Sequence, residues 1–97
     1  MATVGVVGGY DWDQEKEWLN ARKHGVWFDE AETALDRDDT WTRRDPRDWG
    51  AEARYRNIGW SARARFLVVV TSEGGSRPRI ISARRATKRE RHDYARR

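Results

Sequence analysis

Ninety-seven residues with a mass of 11.4 kDa allow one compact domain, residues 1–97, and leave no room for two. Leucine, isoleucine, valine and phenylalanine together contribute only 15 residues. Six tryptophans and three tyrosines add apolar area, because one buried aromatic side chain contributes about 150–250 Å². The sequence contains no cysteine, which excludes disulfides, thiolate zinc sites and thiol nucleophiles. We therefore expect a small folded domain with an aromatic-rich core.

Charge is distributed unevenly along the chain. Residues 1–50 carry seven Lys/Arg and twelve Asp/Glu, whereas residues 51–97 carry thirteen and four, and the net charge is +4. A cationic half favours a polyanion partner, although a solvated arginine-rich face without a partner fits the same numbers. No apolar run approaches the roughly 20 residues of a membrane helix, and the first residues lack a signal-peptide pattern. We expect a cytoplasmic protein that does not contact a membrane.

The first half of the chain predicts a strand followed by two helices. Residues 4–10 are rich in Val and Gly and predict a short strand. Asp13 is a favourable N-cap, and basic side chains precede a potential left-handed cap at Gly25, which together predict a helix over residues 13–24.

The second helix is predicted from a capping pattern. Asp29 followed by Glu32 is a variant of the capping box, which predicts that this helix opens at Asp29. Residues 40–50 then predict a weak strand and a loop.

The second half has the two-residue period of strands. Strands are predicted over residues 53–60, 65–71 and 79–84. In the last of these, simple alternation places Ile80, Ser82 and Arg84 on one side. Thr87 with Glu90 forms a full capping box and predicts a last helix from residue 88. The order predicts a two-layer α+β fold, β-α-α followed by an antiparallel sheet of three to four strands and a C-terminal helix.

Two blocks of the sequence form a specific pattern. The opening block is Tyr10-Asp11-Trp12-Asp13, Asn20, Lys23-His24-Gly25-Val26 and Phe28-Asp29-Glu30-Ala31. The closing block is Glu52, Arg54, Gly59, Arg79-Ile80-Ile81-Ser82-Ala83-Arg84, Ala86-Thr87, Glu90-Arg91 and Tyr94. Together they resemble the BrnT family of toxins, over about residues 10–94.

The resemblance implies a RelE-like fold and a ribonuclease of a type II toxin–antitoxin system that inhibits translation and arrests growth. It also implies a BrnA-type antitoxin that neutralises the toxin, as a toxin–antitoxin heterotetramer, and that represses the operon. Contact with operator DNA would then occur only through the antitoxin.

Cleavage of RNA without a metal requires removal of a proton from the 2′-hydroxyl, stabilisation of the phosphorane charge and protonation of the leaving oxygen. The acidic residues suggest no metal-ligand cluster, so we expect neither a metal nor another cofactor. His24 is suited to proton exchange at neutral pH; it is equally suited to bind carbonyls at a helix end. Lys23 would bind phosphate, or act as a base if desolvated, unless it is an ordinary surface lysine.

Arg54, Arg79 and Arg84 are the predicted phosphate ligands. They lie on adjacent predicted strands, so a concave face of the sheet could present their guanidinium groups to a single scissile phosphate. The alternative is ordinary pairing with Glu52 or with helix carboxylates. Arg84 is the strongest candidate because it ends a strand just before a helix start.

Further side chains are predicted to contact RNA. Ser82 would bind a phosphate oxygen, and Trp27 and Tyr94 would stack on bases; the alternatives are a structural hydroxyl and packed aromatic rings. The basic C-terminal stretch adds Arg85, Lys88 and Arg91, which would guide RNA or lie under an acidic antitoxin segment.

Three functions remain open at this level. The first is an endoribonuclease that needs no metal. The second is a basic nucleic-acid-binding protein that does not cut, and the third is a degenerate toxin that only binds its antitoxin and tunes repression.

Overall fold

The protein, analysed as a computed structural model, is described over residues 9–46, 52–73 and 75–97. Its elements in chain order are α1 (Gln14–His24), α2 (Phe28–Leu35), β1 (Trp41–Arg44), β2 (Arg54–Trp60), β3 (Phe66–Ser72), β4 (Arg79–Arg85) and α3 (Lys88–Ala95). The strands form one antiparallel sheet in the order β1-β2-β3-β4, which confirms the predicted α+β class. In these ranges no helix has the length and apolar character needed to cross a bilayer.

The predicted first strand lies mostly outside the described residues. Only Gly9 and Tyr10 of that segment are described, and neither belongs to a strand. The next residue, Asp11, forms an isolated parallel bridge with Arg79 at the start of β4.

The ends of α1 and α3 follow the predicted local signals. The Asp13 side chain accepts the N–H groups of Glu15 and Lys16 at 2.8 and 3.2 Å, and Gly25 closes α1 with a φ of 72°. Thr87 and Glu90 form the predicted capping box at the start of α3. Both helices are therefore specified by residues at their own termini.

The start of α2 differs from the prediction. The helix begins at Phe28 after Trp27, whose side chain makes no capping bond. The Phe28 N–H donates instead to Oε2 of Glu17 on α1, at 2.9 Å. The predicted opening at Asp29 with a Glu32 capping box is therefore wrong, because a carboxylate from another helix satisfies the free N–H.

The two faces of the sheet are covered differently. One face packs under α1 and α2, in a cluster of buried residues: Trp12, Val26, Phe28, Ala31, Ala34, Leu67, Val69, Ile80 and Ala83. The other face has a smaller cluster of Ile58, Phe66 and Val68, covered at one end by Tyr94 of α3. Trp41 and Trp60 pack beside this smaller cluster, and towards the far end of the same face the side chains are mostly polar or charged.

A β-bulge interrupts the pairing of β3 with β4. Val70 pairs with Ser82, whereas the next residue, Thr71, pairs with Ile80. Ile81 is therefore an extra residue in β4, and the side-chain alternation changes phase at this point.

The bulge changes which side chains share a face. Ile80 belongs to the same buried cluster as Ala83, under the helices. The predicted grouping of Ile80 with Ser82 and Arg84 is therefore wrong. Beyond the bulge, Arg79 faces the same side as Ser82 and Arg84, which strict alternation would not allow.

Candidate functional site

The face of the sheet opposite α1 and α2 carries arginines in successive rows, which we call the arginine face: Arg43, Arg54, Arg56, Arg79 and Arg84. Paired positions across the strands define these rows. The first row is Arg54, Ser72 and Arg79. The second is Arg43, Arg56, Val70 and Ser82, and the third is Trp41, Ile58, Val68 and Arg84. Neighbouring rows are about 7 Å apart, since a strand rises about 3.3 Å per residue.

A groove runs between α1 and β4 beside the first two rows. It consists of two adjoining cavities that share Lys16 and Ile81 as lining residues. The first cavity is lined further by Asp13, Glu52, Arg54, Ser72, Arg79 and Ile80. The second is lined further by Leu19, Asn20, Lys23, His24 and Ser82. We call this continuous depression the α1–β4 groove.

The groove brings together five of the residues predicted from the sequence to act on RNA. Arg54 and Arg79 lie at one end of it. Lys23, His24 and Ser82 lie at the other. Both ends carry cationic side chains, so the groove is suited to an extended polyanion.

Lys16 is a groove residue that the sequence reasoning missed. It lines both cavities, whereas Lys23 and His24 line only one. A signal was present, because positions 16, 20, 23 and 24 follow the i, i+4, i+7, i+8 spacing of a single helix face. From Lys16 to His24 this face extends about 12 Å, at 1.5 Å per residue.

Arg84 is not part of the groove as the structure places it. Its Nη1 and Nη2 both donate to the Glu90 carboxylate at 2.8 Å, in a bidentate ion pair between β4 and α3. The Arg84 guanidinium lowers the pKa of Glu90 to about 2, chiefly through this hydrogen bonding. Arg84 lies two rows, about 13 Å, from Arg79. The structure therefore places Arg54 and Arg79 in one cavity and holds Arg84 elsewhere, and a catalytic role of Arg84 stays a prediction.

The end of α1 that carries Lys23 and His24 is fixed by a buried ion pair. Nη2 of Arg65 donates to the carbonyl of Gly25 at 3.0 Å, and the same guanidinium pairs with Glu30. The hydroxyl of Ser61 also donates to Glu30, at 2.7 Å. Hydrogen bonding from Arg65 lowers the pKa of Glu30, so the carboxylate stays charged. The position of His24 therefore depends on the β2–β3 turn.

Within the described residues, Trp27 is one of three large apolar side chains that remain about half exposed: Trp18 at 48%, Leu19 at 53% and Trp27 at 47%. Its ring is therefore available to a partner.

The predicted RNA contacts near α3 occupy different environments. Arg85, Lys88 and Arg91 are exposed. Arg91 also stacks on the sheet aromatics, with its Cζ 5.6 Å from the ring centre of Trp60. Tyr94 packs edge-on against a phenylalanine of the smaller cluster, and its hydroxyl donates to the Asp39 carbonyl at 2.6 Å. For Tyr94 the structure favours the packing alternative, and its contact with RNA stays a prediction.

Within the described ranges, no three His, Cys, Asp or Glu side chains form a group that could hold a metal ion. Two carboxylates line the first cavity of the groove. Asp13 caps α1, and Glu52 lines the same cavity as Arg54 and Arg79.

Comparison with protein families gives the deciding observation. A family profile described as "Ribonuclease toxin, BrnT, of type II toxin-antitoxin system" matches residues 12–90. The chain belongs to the BrnT family. The match covers both predicted sequence blocks except for their outermost residues, and it includes α1, the whole sheet and the start of α3. A search of curated proteins finds no match. As a BrnT-family member the chain is a type II ribonuclease toxin, which implies an RNA substrate and an antitoxin partner.

Proposed function

We propose that this BrnT-family chain is an endoribonuclease that cuts RNA without a metal ion, by attack of the 2′-hydroxyl on the adjacent phosphate. The observation that supports the proposal is the α1–β4 groove, where Arg54 and Arg79 line one cavity and His24 lines the adjoining one.

The groove residues can be assigned to the steps of this reaction. The scissile phosphate would lie over the section shared by both cavities, near Lys16 and Ile81. Arg54 and Arg79 would approach it from one end and stabilise the charge of the phosphorane. At the other end, His24 would exchange protons with the reacting oxygens.

Lys23 and Ser82 would support the same step. Lys23 is exposed, so it lacks the desolvation that a basic role requires and is better suited to attract phosphate. Ser82 is partly buried and would donate its hydroxyl to a phosphate oxygen. Exposed Arg85, Lys88 and Arg91 would guide the flanking RNA by long-range attraction.

The partner in this proposal is a BrnA-type antitoxin, which forms a heterotetramer with the toxin. Within this complex, only the antitoxin would contact operator DNA. Half-exposed Trp18, Leu19 and Trp27 support a protein partner, because large apolar side chains left in water favour association. A toxin that acts on cellular RNA would work in the cytoplasm.

The test is cleavage of RNA by purified protein in the presence of EDTA. We expect fragments that end in 2′,3′-cyclic phosphate, and growth arrest on expression without the antitoxin. Arg79→Ala should lower the cleavage rate at least a hundredfold, in the range found when a group that stabilises transition-state charge is removed. Arg63→Ala is the matched control, since Arg63 is exposed in the β2–β3 turn, at the other end of the sheet.

Two outcomes would contradict the proposal. RNA that is bound in a salt-dependent manner but stays intact would show a nucleic-acid-binding protein. Tight antitoxin binding without toxicity or cleavage would show a degenerate toxin.

A further inference from the structure

Arg43 and Arg56 face each other on neighbouring strands, and neither forms an ion pair with a carboxylate of the described residues. They are directly paired between β1 and β2 in the second row of the arginine face. Like charges directly opposite each other on a sheet are destabilising. Their juxtaposition therefore has a cost that the fold itself does not explain.

Some other arginines in the described residues show how such a charge can be neutralised. Arg37, Arg65, Arg77, Arg84 and Arg89 each form an ion pair with a carboxylate. In the part of the chain that the structure describes, Arg43 and Arg56 have no such pair.

Within the described residues, the contacts of these two arginines leave one buried donor without a partner. The Arg43 guanidinium stacks on the Trp41 ring, with its Cζ 4.8 Å from the ring centre. The Nε of Arg56 is buried and has no hydrogen-bond partner. A buried donor without a partner is rare in a folded protein and points to a missing acceptor.

Position relates this pair to the proposed catalytic groove. Arg56 is two residues from Arg54 on β2 and points to the same face, a separation of about 7 Å. This spacing is comparable with that between successive phosphates of an extended nucleic-acid strand. An RNA strand with one phosphate at Arg54 can therefore bring another to Arg56.

We propose that Arg43 and Arg56 form a second anion subsite, which binds a flanking phosphate of the RNA strand whose scissile phosphate lies in the α1–β4 groove. The planar guanidinium groups would bind the phosphate oxygens from two strands. Binding would supply the missing acceptor for Arg56 and reduce the repulsion between the two arginines. The inference rests on the proposed function, because it assigns part of the same substrate.

The first experiment measures binding without chemistry. A fluorescent 2′-O-methyl RNA oligonucleotide, which lacks the attacking hydroxyl, is titrated with the full-length protein at several salt concentrations. For R43Q/R56Q we expect the Kd to rise about tenfold. The salt slope should fall by about 0.7 for the lost phosphate contact. R63Q, which removes one exposed charge from the β2–β3 turn, should leave both values within twofold of wild type.

R43K/R56K and thermal melting separate binding from a structural role. The lysine variant keeps both charges and should retain most of the salt slope while losing part of the affinity. R43Q/R56Q should melt at or above the temperature of wild type, because it removes a repulsive pair. If the double variant does not fold, R43Q alone, on the edge strand, serves the same measurements. A binding constant and salt slope equal to those of R63Q would overturn the subsite.

The second experiment compares cleavage of a dinucleotide, which has one phosphate, with cleavage of a tetranucleotide. We expect the ratio of kcat/KM for tetranucleotide over dinucleotide to fall at least fivefold in R43Q/R56Q. An unchanged ratio, with both substrates affected alike, would place the pair at the scissile phosphate and overturn the inference. If wild type cleaves neither substrate, the proposed function fails, while the binding measurements still decide the subsite.

Discussion

The Asn20 side chain and the Ala83 backbone are joined by two reciprocal hydrogen bonds. Nδ2 of Asn20 donates to the Ala83 carbonyl at 2.8 Å, and the Ala83 N–H donates to Oδ1 of Asn20 at 3.1 Å. The same Nδ2 donates to the Val26 carbonyl at 2.9 Å. The buried amide of Asn20 thus pairs with the N–H and C=O groups of Ala83 on the outer edge of β4, as a neighbouring strand would, and fixes α1 beside this strand. This contact sets the width of the α1–β4 groove.

Asn20→Ala should therefore destabilise the protein strongly. We expect a loss of about 2–3 kcal/mol in the free energy of unfolding, because three buried backbone groups lose a partner. Asn20→Asp should lower the free energy of unfolding further, since its carboxylate would face two carbonyl oxygens. Denaturant unfolding measures both variants, with exposed Gln14→Ala on α1 as the control. A change below about 0.5 kcal/mol for Asn20→Ala would contradict this role.

Glu17 joins two elements that are separate in sequence. One carboxylate oxygen accepts the Trp12 indole N–H at 3.1 Å, and the other accepts the N–H that opens α2. Glu17→Ala should lower the free energy of unfolding by about 1–2 kcal/mol, in the range of a lost helix cap. Glu15→Ala, in the same helical turn, should have a smaller effect. Equal losses in the two variants, measured by thermal melting, would mean that the cross-helix cap contributes little.

The buried carboxyl of Glu32 destabilises the fold when it is ionised, in contrast to the carboxylate of Glu17. It is 2% exposed, its Oε2 has no hydrogen-bond partner, and desolvation followed by repulsion from Asp36 raises its pKa. Because the folded-state pKa lies above the unfolded value of about 4.3, ionisation destabilises the fold as pH rises through this window. Glu32→Gln should therefore gain about 1 kcal/mol at pH 7.

The gain from Glu32→Gln should disappear below about pH 4, where Glu32 of the wild type is protonated in both the folded and the unfolded state. Unfolding curves between pH 3 and 8 provide the measurement. A gain that does not vary with pH would indicate that the substitution acts through packing instead of through ionisation.

The Arg84–Glu90 ion pair predicts a different dependence on acid. The Glu90 pKa of about 2 lies below the unfolded value, so the pair stabilises the fold above about pH 4.3 and this contribution declines as pH falls towards the folded value. The difference in stability between wild type and Glu90→Gln should therefore shrink on acidification. If the difference stays constant from pH 6 to pH 2.5, the Arg84–Glu90 ion pair does not cause the loss of stability in Glu90→Gln.

The same ion pair provides a test of the predicted catalytic role of Arg84. If Arg84 acts on RNA, Arg84→Ala should abolish cleavage while Glu90→Ala, which frees the guanidinium, should retain it. If the pair only holds α3 against β4, both variants should lose similar amounts of stability and activity. Cleavage rates measured well below each melting temperature separate the two cases.

Capping residues in the sequence correctly predicted the helix ends that are fixed by interactions within a few residues. Asp13, Gly25 and Thr87 fix helix ends within a few residues of themselves, and those ends agree with the structure. The start of α2 could not be predicted in this way, because its cap is the distant Glu17. Nor could residue types reveal the bulge at Ile81, which depends on the pairing of two strands.

The sequence predicted some residues of the candidate site but not the contacts that depend on how strands and helices pack together. Arg54 and Arg79 were predicted to lie on adjacent strands, whereas they lie on β2 and β4 with β3 between them. The sheet register still brings them into one row and one cavity. Glu90 was recognised as part of a capping box, but its second contact, with Arg84, arises only when α3 packs against β4. The isolated Arg43–Arg56 pair likewise follows from the β1–β2 register.

The extra residue at position 81 lets this part of β4 tolerate a change in length. Removing Ile81 would make Val70–Ser82 and Thr71–Ile80 consecutive pairs, so Arg79 would stay on the arginine face and Ile80 would stay in the core. The deletion would instead remove the side chain that lines both cavities of the groove. A relative that is one residue shorter here would thus keep its arginines in the same row and differ in the shape of the depression beside them.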